Sequence, residues 1–155
     1  MEPLPEVYAA LCRNRTCRAL NCCVGDRQGR AEFLAIDGYS EMLSGLLETY
    51  DPRHLERVER ECGQHGCNRK VIEVDCVPPG ALFEDPRFRR VDYLSLDVEG
   101  CEERVLKAIP FDRTHISIIT VENNFGDDGI LRHLASHGFA LLGKLPHDDI
   151  FIKGD

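Results

Sequence analysis

Long apolar runs are missing from this sequence. No stretch approaches the about 20 apolar residues that a helix needs to cross a membrane. The first residues, MEPLPEVYAAL, also lack the basic start and the apolar stretch of a secretory signal peptide. These absences argue against a membrane-spanning class, and we expect a cytoplasmic protein.

The chain also lacks an excess of basic residues, with 19 lysines and arginines against 27 acidic residues. Its formal net charge is −8 and its isoelectric point is about 5.2. A nucleic-acid-binding protein needs a basic face for the phosphates, and docking on an anionic lipid surface needs one too. We therefore expect neither nucleic acid nor a membrane among the partners.

Internal repeats and low-complexity segments are absent as well. What remains is an ordinary globular composition, with 43% hydrophobic and 30% charged residues. A chain of 155 residues is long enough to bury about 70% of the surface that it exposes when unfolded. We predict one domain over residues 1–155.

Cysteine is plentiful, with eight residues: Cys12, Cys17, Cys22, Cys23, Cys62, Cys67, Cys76 and Cys101. Because no secretory signal is evident, we expect reduced thiols. A zinc site is the alternative, since four residues separate the members of Cys12/Cys17 and of Cys62/Cys67, a spacing that structural zinc sites use. The other cysteines lie in or beside apolar runs, where cysteine behaves as a small hydrophobic residue.

The hydrophobic patterns alternate between helix and strand periods. In the first half they predict helices at Pro5–Asn14 and Asp51–Cys62, and strands at Cys17–Asp26, Asp26–Ile36 and Lys70–Val77. The proposed second helix has Asp51 as its N-cap and Leu55, Val58 and Cys62 on its apolar side.

The second half is more regular. It predicts strands at Val91–Val98 and His115–Glu122, helices at Cys101–Ile109 and Asp127–Gly138, and a final hairpin of Phe139–Leu145 with Asp148–Lys153. Alternating strands and helices are typical of an α/β fold, and strands that are apolar on both faces favour a parallel sheet covered by helices.

Acidic side chains stand where two neighbouring strands of this sheet end. Asp97 and Glu99 follow the first strand of the pair, and Glu122 closes the second. Ligands of such sheets bind beyond the carboxyl ends of the strands, so we predict that these carboxylates face one crevice as catalytic candidates. Asp97 can position a hydroxyl, accept its proton or help to hold a cation. Asp97 as a helix cap and Glu99 in the first helical turn are the structural alternatives.

Three carboxylates also suit a hard cation such as Mg²⁺. No histidine lies at ligand spacing with them, and His133 and His137 are interpreted as the surface face of a helix. We predict no bound metal.

These segments resemble a known family. VDYLSLDVEGCEERVLKAI, followed by ISIITVENN and ILRHLASHGFALLGKLPHDDIFIK, is similar to the FkbM-type methyltransferases. Upstream, MEPLPEVYAALCRNRTC resembles the family's Glu-Pro segment, which follows its second strand and opens the next helix, and VGDRQGRAEFL resembles its third strand with a short hairpin. The resemblance implies a Rossmann-like class I methyltransferase sheet and methyl transfer from S-adenosylmethionine, most often to a hydroxyl of a sugar or another small molecule.

The resemblance also implies roles for individual residues. Glu2 corresponds to the acid that binds the ribose hydroxyls of the cofactor, and Asp26 is placed to face its adenine. Asp97, Glu99 and Glu122 fall on the acceptor side.

The chain departs from the family in one motif. The family begins with a strand and a glycine-rich turn of the type Asp-x-Gly-Ala-Asn-x-Gly, and this sequence contains no such turn. The implied sheet lacks its first strand and most of its second, so strand edges would be exposed. Three outcomes stay open: part of a longer protein, direct pairing of the third strand with the fourth, or self-association through the edges. The alternative function is a non-catalytic binding or interaction module.

Overall fold

The computed structural model describes residues 1–154, which fall into two compact units. The first unit is Met1–Val77 with Glu99–Cys101, and the second is Pro78–Val98 with the chain from Glu102 onward. None of the helices in the described part of the chain is long and apolar enough to cross a membrane.

The first unit contains a four-stranded sheet and two α-helices. The strand order is β1-β4-β2-β3, with β1 parallel to β4 and the other pairs antiparallel. Short 3-10 helices span Gly38–Leu43 and Leu47–Thr49. The elements are α1 (Pro5–Asn14), β1 (Cys23–Val24), β2 (Gly29–Ile36), β3 (Gly45–Leu46), α2 (Pro52–His65) and β4 (Arg69–Val77).

Alternation along β2 and β4 builds the core of this unit. Ala31, Phe33 and Ala35 are buried on β2, and Val74 and Cys76 are buried on β4. The residues between them remain exposed or half-buried, as the period of a strand with one solvated face requires. The predicted half-exposed character of β4 is therefore confirmed.

Helix α2 begins as the sequence indicates. The side chain of Asp51 accepts a hydrogen bond of 2.8 Å from the N–H of Arg53, and Pro52 occupies the first turn. The buried residues are His54 and Val58, however, whereas Leu55 is 39% exposed. The prediction that Leu55 faces the core is wrong, because the stripe that packs inward follows the i, i+4 pair His54–Val58.

The second unit contains the other four-stranded sheet. Its order is β5-β6-β8-β7, in which β5 and β6 are parallel and the other two pairs are antiparallel. Its elements are α3 (Pro79–Leu82), a 3-10 helix (Pro86–Phe88), β5 (Arg90–Leu96), α4 (Glu102–Lys107), β6 (His115–Glu122), α5 (Asp128–Ser136), β7 (Phe139–Lys144) and β8 (Asp148–Lys153).

The α/β class and the final hairpin are confirmed, and the expected parallel pairing is found between β5 and β6. Strand β8 follows β7 through a tight turn and inserts beside β6, which forces antiparallel pairing on both of its sides. The segment VGDRQGRAEFL, which resembles the family's third strand, leads into β2, and VDYLSLDV, which would be its fourth, contains β5. Among the described strands β2 and β5 belong to different sheets, so the direct pairing considered from the sequence is absent from them. Among the described strands only β6 pairs with β5, and self-association through that free edge stays a prediction.

Several predicted boundaries were too long. The strand expected over Cys17–Asp26 is reduced to Cys23–Val24. The helix expected over Cys101–Ile109 ends at Lys107, because Ala108 and Ile109 bond back to the third residue before them and tighten the last turn. The core of the second unit includes buried apolar residues from its strands and from α4 and α5: Leu96, Leu106, Ile116, Ile119, Val121, Leu134 and Phe151.

The cysteine prediction is corrected in part. Cys62 and Cys67 form a disulfide, with Cα atoms 5.1 Å apart, so reduced thiols are wrong for this pair. Both pack against the core cluster of Ile36, Leu43 and Val58, where the chain reverses after α2. Because their sulfurs bond each other, the four-cysteine zinc site is absent from the described residues. Buried thiols outside any disulfide are found at the apolar positions, as expected: Cys22, Cys23, Cys76 and Cys101.

Candidate functional site

Three carboxylates meet at one end of the second sheet. Oxygens of Asp97, Glu102 and Glu122 all lie within 4.8 Å of one another. The parallel register of β5 and β6 explains two of them, since Leu96 pairs with Val121 and the next residues along are Asp97 and Glu122. The predicted meeting of Asp97 with Glu122 is thus present in the structure.

Glu102 is the member that sequence reasoning did not select. It opens α4, is 8% exposed, and its Oε1 accepts a hydrogen bond of 3.1 Å from the N–H of Val98. This bond closes the loop that follows β5 and draws the Glu102 carboxylate toward the strand end. An acidic residue in the first turn of the helix after Asp97 was the available signal.

Glu99 belongs to the first unit. Its φ is +55°, and no other non-glycine residue among residues 1–154 has a positive φ. Its Oε2 lies 3.6 Å from Nδ1 of the buried His54, in the first unit. The backbone at Glu99 and Gly100 is left-handed, and the expectation that Glu99 shares a crevice with Asp97 and Glu122 stays a prediction.

His54, beside Glu99, belongs to a packed aromatic pair. The ring of His54 stacks on Tyr50 with centroids 4.7 Å apart, and the Tyr50 hydroxyl donates to the carbonyl oxygen of Leu43 at 2.7 Å. Burial lowers the pKa of His54. Burial, and then the charge of Glu99, raise the pKa of Tyr50. Tyr50, His54 and Glu99 therefore form a packed group of side chains rather than an open site.

The electrostatics around Asp97 favour a proton acceptor. The pKa of Asp97 is raised above its ordinary value, first by desolvation of the carboxyl group and then by the charge of Asp148. Asp148 stands opposite Glu122 in the β6–β8 register. Asp97 still keeps an exposed surface, so its carboxylate is reachable from solvent.

An amide and an imidazole extend the site beyond Glu122. Nδ2 of Asn124 donates to Oε1 of Glu122 at 2.6 Å, and Oδ1 of Asn124 lies 3.0 Å from Nδ1 of His147. The carbonyl oxygen of His147 accepts the N–H of Asn123 at 2.8 Å. The sequence placed His147 only in a tight turn, and nothing in its spacing indicated that the ring returns to the end of β6.

The two residues assigned to the cofactor lie in the first unit. Oε1 of the half-buried Glu2 accepts the N–H of Leu4 at 2.9 Å, and the N–H of Glu2 donates to the carbonyl oxygen of Leu20 at 3.0 Å. Asp26 is exposed just after β1. A cavity of about 460 Å³ beside the first turn of α1 includes Leu4 among its walls but neither Glu2 nor Asp26.

His133 and His137 are half-buried, which corrects their interpretation as a surface face. Their ring centroids are 4.6 Å apart, and both rings contact Phe111. Nε2 of His133 lies 3.2 Å from the carbonyl oxygen of Leu106, and burial lowers the pKa of His133. This pair packs α5 within the second unit.

The carboxylate cluster supports two kinds of chemistry. Carboxylates accept hydrogen bonds from hydroxyl groups and can take their protons. The same donor set suits a hard divalent cation, and the expectation of no bound metal stays a prediction.

Comparison with known proteins supplies the reaction class. A family model described as the methyltransferase FkbM domain matches residues 1–141. The chain belongs to this family. No curated protein and no solved structure gives a match to this chain. Family membership indicates a methyltransferase and hence a methyl-donor cofactor, which agrees with the resemblance seen in the sequence.

Proposed function

We propose that this chain forms a domain, over residues 1–155, that transfers a methyl group from S-adenosylmethionine to a hydroxyl of a sugar or another small molecule. In this proposal β5 to β8 form the second half of a Rossmann-like sheet. The observation that carries it is the meeting of Asp97, Glu102 and Glu122 at the carboxyl ends of two parallel strands, where ligands of α/β sheets bind.

In this proposal Glu2 and Asp26 bind the adenosine end of S-adenosylmethionine. A carboxylate suits a ribose diol because it accepts two hydrogen bonds, and the Glu2 carboxylate is already anchored by the N–H of Leu4. Asp26 is accessible for the adenine. The sequence supplies no glycine-rich turn for the methionine end, so the fit covers the adenosine end.

The protein's share of the chemistry is orientation and proton transfer. S-adenosylmethionine, when bound, supplies an electrophilic methyl group whose bond to sulfur breaks with its electron pair left on sulfur. Asp97 accepts a hydrogen bond from the acceptor hydroxyl and aligns its oxygen, a contribution that needs only a correctly placed group. Glu102 and Glu122 keep the strand end negative and polar, which favours a hydroxyl over an apolar acceptor.

Calorimetric titration of the full chain with S-adenosylmethionine tests the proposal. We expect saturable binding in the micromolar range, weakened about tenfold or more in Glu2→Gln, because a hydrogen bond to a charged group is lost. Glu6→Gln is the matched control, since Glu6 is exposed in the first turn of α1 and should leave the affinity unchanged. No heat of binding at millimolar cofactor overturns the proposal and favours the non-catalytic binding module.

A further inference from the structure

The hydrogen bonds around Asn124 determine which nitrogen of His147 carries a proton. Asn124 stands between the Glu122 carboxylate, 2.6 Å from its Nδ2, and the His147 ring, 3.0 Å from its Oδ1. Nδ2 of Asn124 is the donor to Oε1 of Glu122, so the NH₂ group of the amide faces the carboxyl group. Its carbonyl oxygen then faces His147.

The consequence for His147 follows directly. A carbonyl oxygen accepts and cannot donate, so Nδ1 of His147 must be the donor and carry the hydrogen. In the neutral imidazole Nε2 is then the nitrogen with the free lone pair. A carboxylate, an amide and an imidazole in series therefore present one basic nitrogen, as the third group of a catalytic triad orients its base.

The ring is held at the same end of the sheet as the carboxylate cluster. The His147 carbonyl oxygen accepts the N–H of Asn123, and Leu145 donates its N–H to the carbonyl oxygen of Asp148 at 2.7 Å, which closes the turn between β7 and β8. Glu122 belongs to both the cluster and this chain of hydrogen bonds. His147 itself is exposed, so a substrate can reach its free nitrogen.

We propose that Glu122, Asn124 and His147 form a relay in which Nε2 of His147 accepts the proton of the acceptor hydroxyl. This rests on the proposed function and adds the proton's destination to it. The proton moves from the hydroxyl oxygen to Nε2, and the oxygen uses the freed electron pair for its new bond to carbon. The imidazolium is stabilised through Asn124 by the charge of Glu122, and returns its proton to water.

The division of labour follows from the geometry. The ring of His147 is exposed at the end of the hydrogen-bonded series, whereas Asp97 belongs to the carboxylate cluster. Asp97 then aligns the hydroxyl while His147 takes the proton. Glu122 and Asn124 are positioning residues, since they act through the ring.

Nitrogen-15 NMR of the full chain, labelled at histidine, tests the relay without cofactor. At a pH of about 8.5, where an ordinary imidazole is neutral, we expect His147 as the Nδ1–H tautomer, with its signals assigned from His147→Gln. Asn124→Ala should release the ring to a mixture of tautomers. His115 is the internal control, because its Nε2 lies 3.3 Å from a Ser117 hydroxyl that can donate or accept, and its signals should not move.

The spectrum decides the relay whether or not methylation is detected. An Nε2–H tautomer in the wild type, or a tautomer ratio that Asn124→Ala leaves unchanged, overturns it. The catalytic role is decided by kcat once cofactor binding is established: His147→Gln should lower it by about 10²- to 10⁴-fold, and an unchanged kcat refutes that role. Failure of the proposed function appears separately, as wild-type protein that shows the tautomer but binds no S-adenosylmethionine.

Discussion

The two units use acidic residues in opposite ways. In the first, Glu73 and Asp75 alternate along the exposed face of β4, and Arg30 on the antiparallel neighbour pairs with Asp75 at 3.0 Å. In the second, Asp97 and Glu122 stand at the ends of parallel strands and meet. Alternation along an antiparallel strand leaves carboxylates in solvent, whereas the ends of parallel strands gather them at one edge.

The largest expected effect comes from replacing Asp97, one of the three clustered carboxylates, by its neutral amide. Asp97→Asn should lower the rate of methyl transfer by about 10²-fold, because the amide can no longer accept the hydroxyl's hydrogen bond with a charged oxygen. The measurement is S-adenosylmethionine-dependent methylation over a panel of sugars and small alcohols. Asp75→Asn is the matched control, since Asp75 is 66% exposed beside Arg30. Equal rates of methyl transfer in the two variants would show that Asp97 matters no more for activity than an exposed acid of the first unit.

The next largest effect is expected on the stability of the loop that the Glu102–Val98 hydrogen bond closes. Glu102→Ala leaves the N–H of Val98 without its partner, and we expect a loss of about 1–3 kcal/mol in the free energy of unfolding. Urea denaturation followed by circular dichroism measures it. Glu103→Ala serves as the control, because Glu103 lies next to Glu102 and pairs with Lys107 at the surface. A Glu102→Ala variant as stable as this control would show that the hydrogen bond between Glu102 and Val98 does not stabilise the protein.

Both units should lose stability as the pH falls, which is a property that they share. Burial lowers the pKa of His54 in the first unit and of His133 in the second. The unfolded chain therefore binds more protons than the folded one below pH about 6.5. This stability is fully present above that pH and is lost as the pH falls through the folded pKa values.

Denaturation midpoints at pH 7.5 and pH 5 measure this loss. Most carboxylate effects fall at lower pH, as for Asp51, whose pKa Arg53 lowers to about 2. Replacing His133 by Gln should flatten the pH dependence of stability, and an unaltered slope in that variant argues against a lowered pKa of His133.

The smallest effect belongs to the exposed acids of the first unit. Arg30→Ala should cost only about 0.2–1 kcal/mol in the free energy of unfolding, as surface ion pairs usually do. Added salt should reduce even that difference, because both partners are exposed and screened. A loss above about 2 kcal/mol would show that β4 depends on this pair, unlike most surface ion pairs.

The sequence anticipated the chemistry of the second unit better than that of the first. Strands β5 and β6 carry strong local patterns, so hydrophobic periodicity was enough to place Asp97 and Glu122 at neighbouring strand ends. The hairpin was equally accessible, because Pro146 and Asp148 mark its turn. The first unit depends on pairing between distant segments such as β2 and β4, which local periodicity does not specify.

Local order along the chain thus determined the element types, the α/β class and which acids follow which strands, because hydrophobic period and turn residues act over a few neighbours. Only the tertiary structure decided the mixed sheets, the Cys62–Cys67 disulfide and the final membership of the carboxylate cluster. A positive φ sends Glu99 toward His54, while a hydrogen bond to Val98 brings Glu102 to Asp97. Spacing alone cannot distinguish these two glutamates, because backbone direction and long-range partners choose between them.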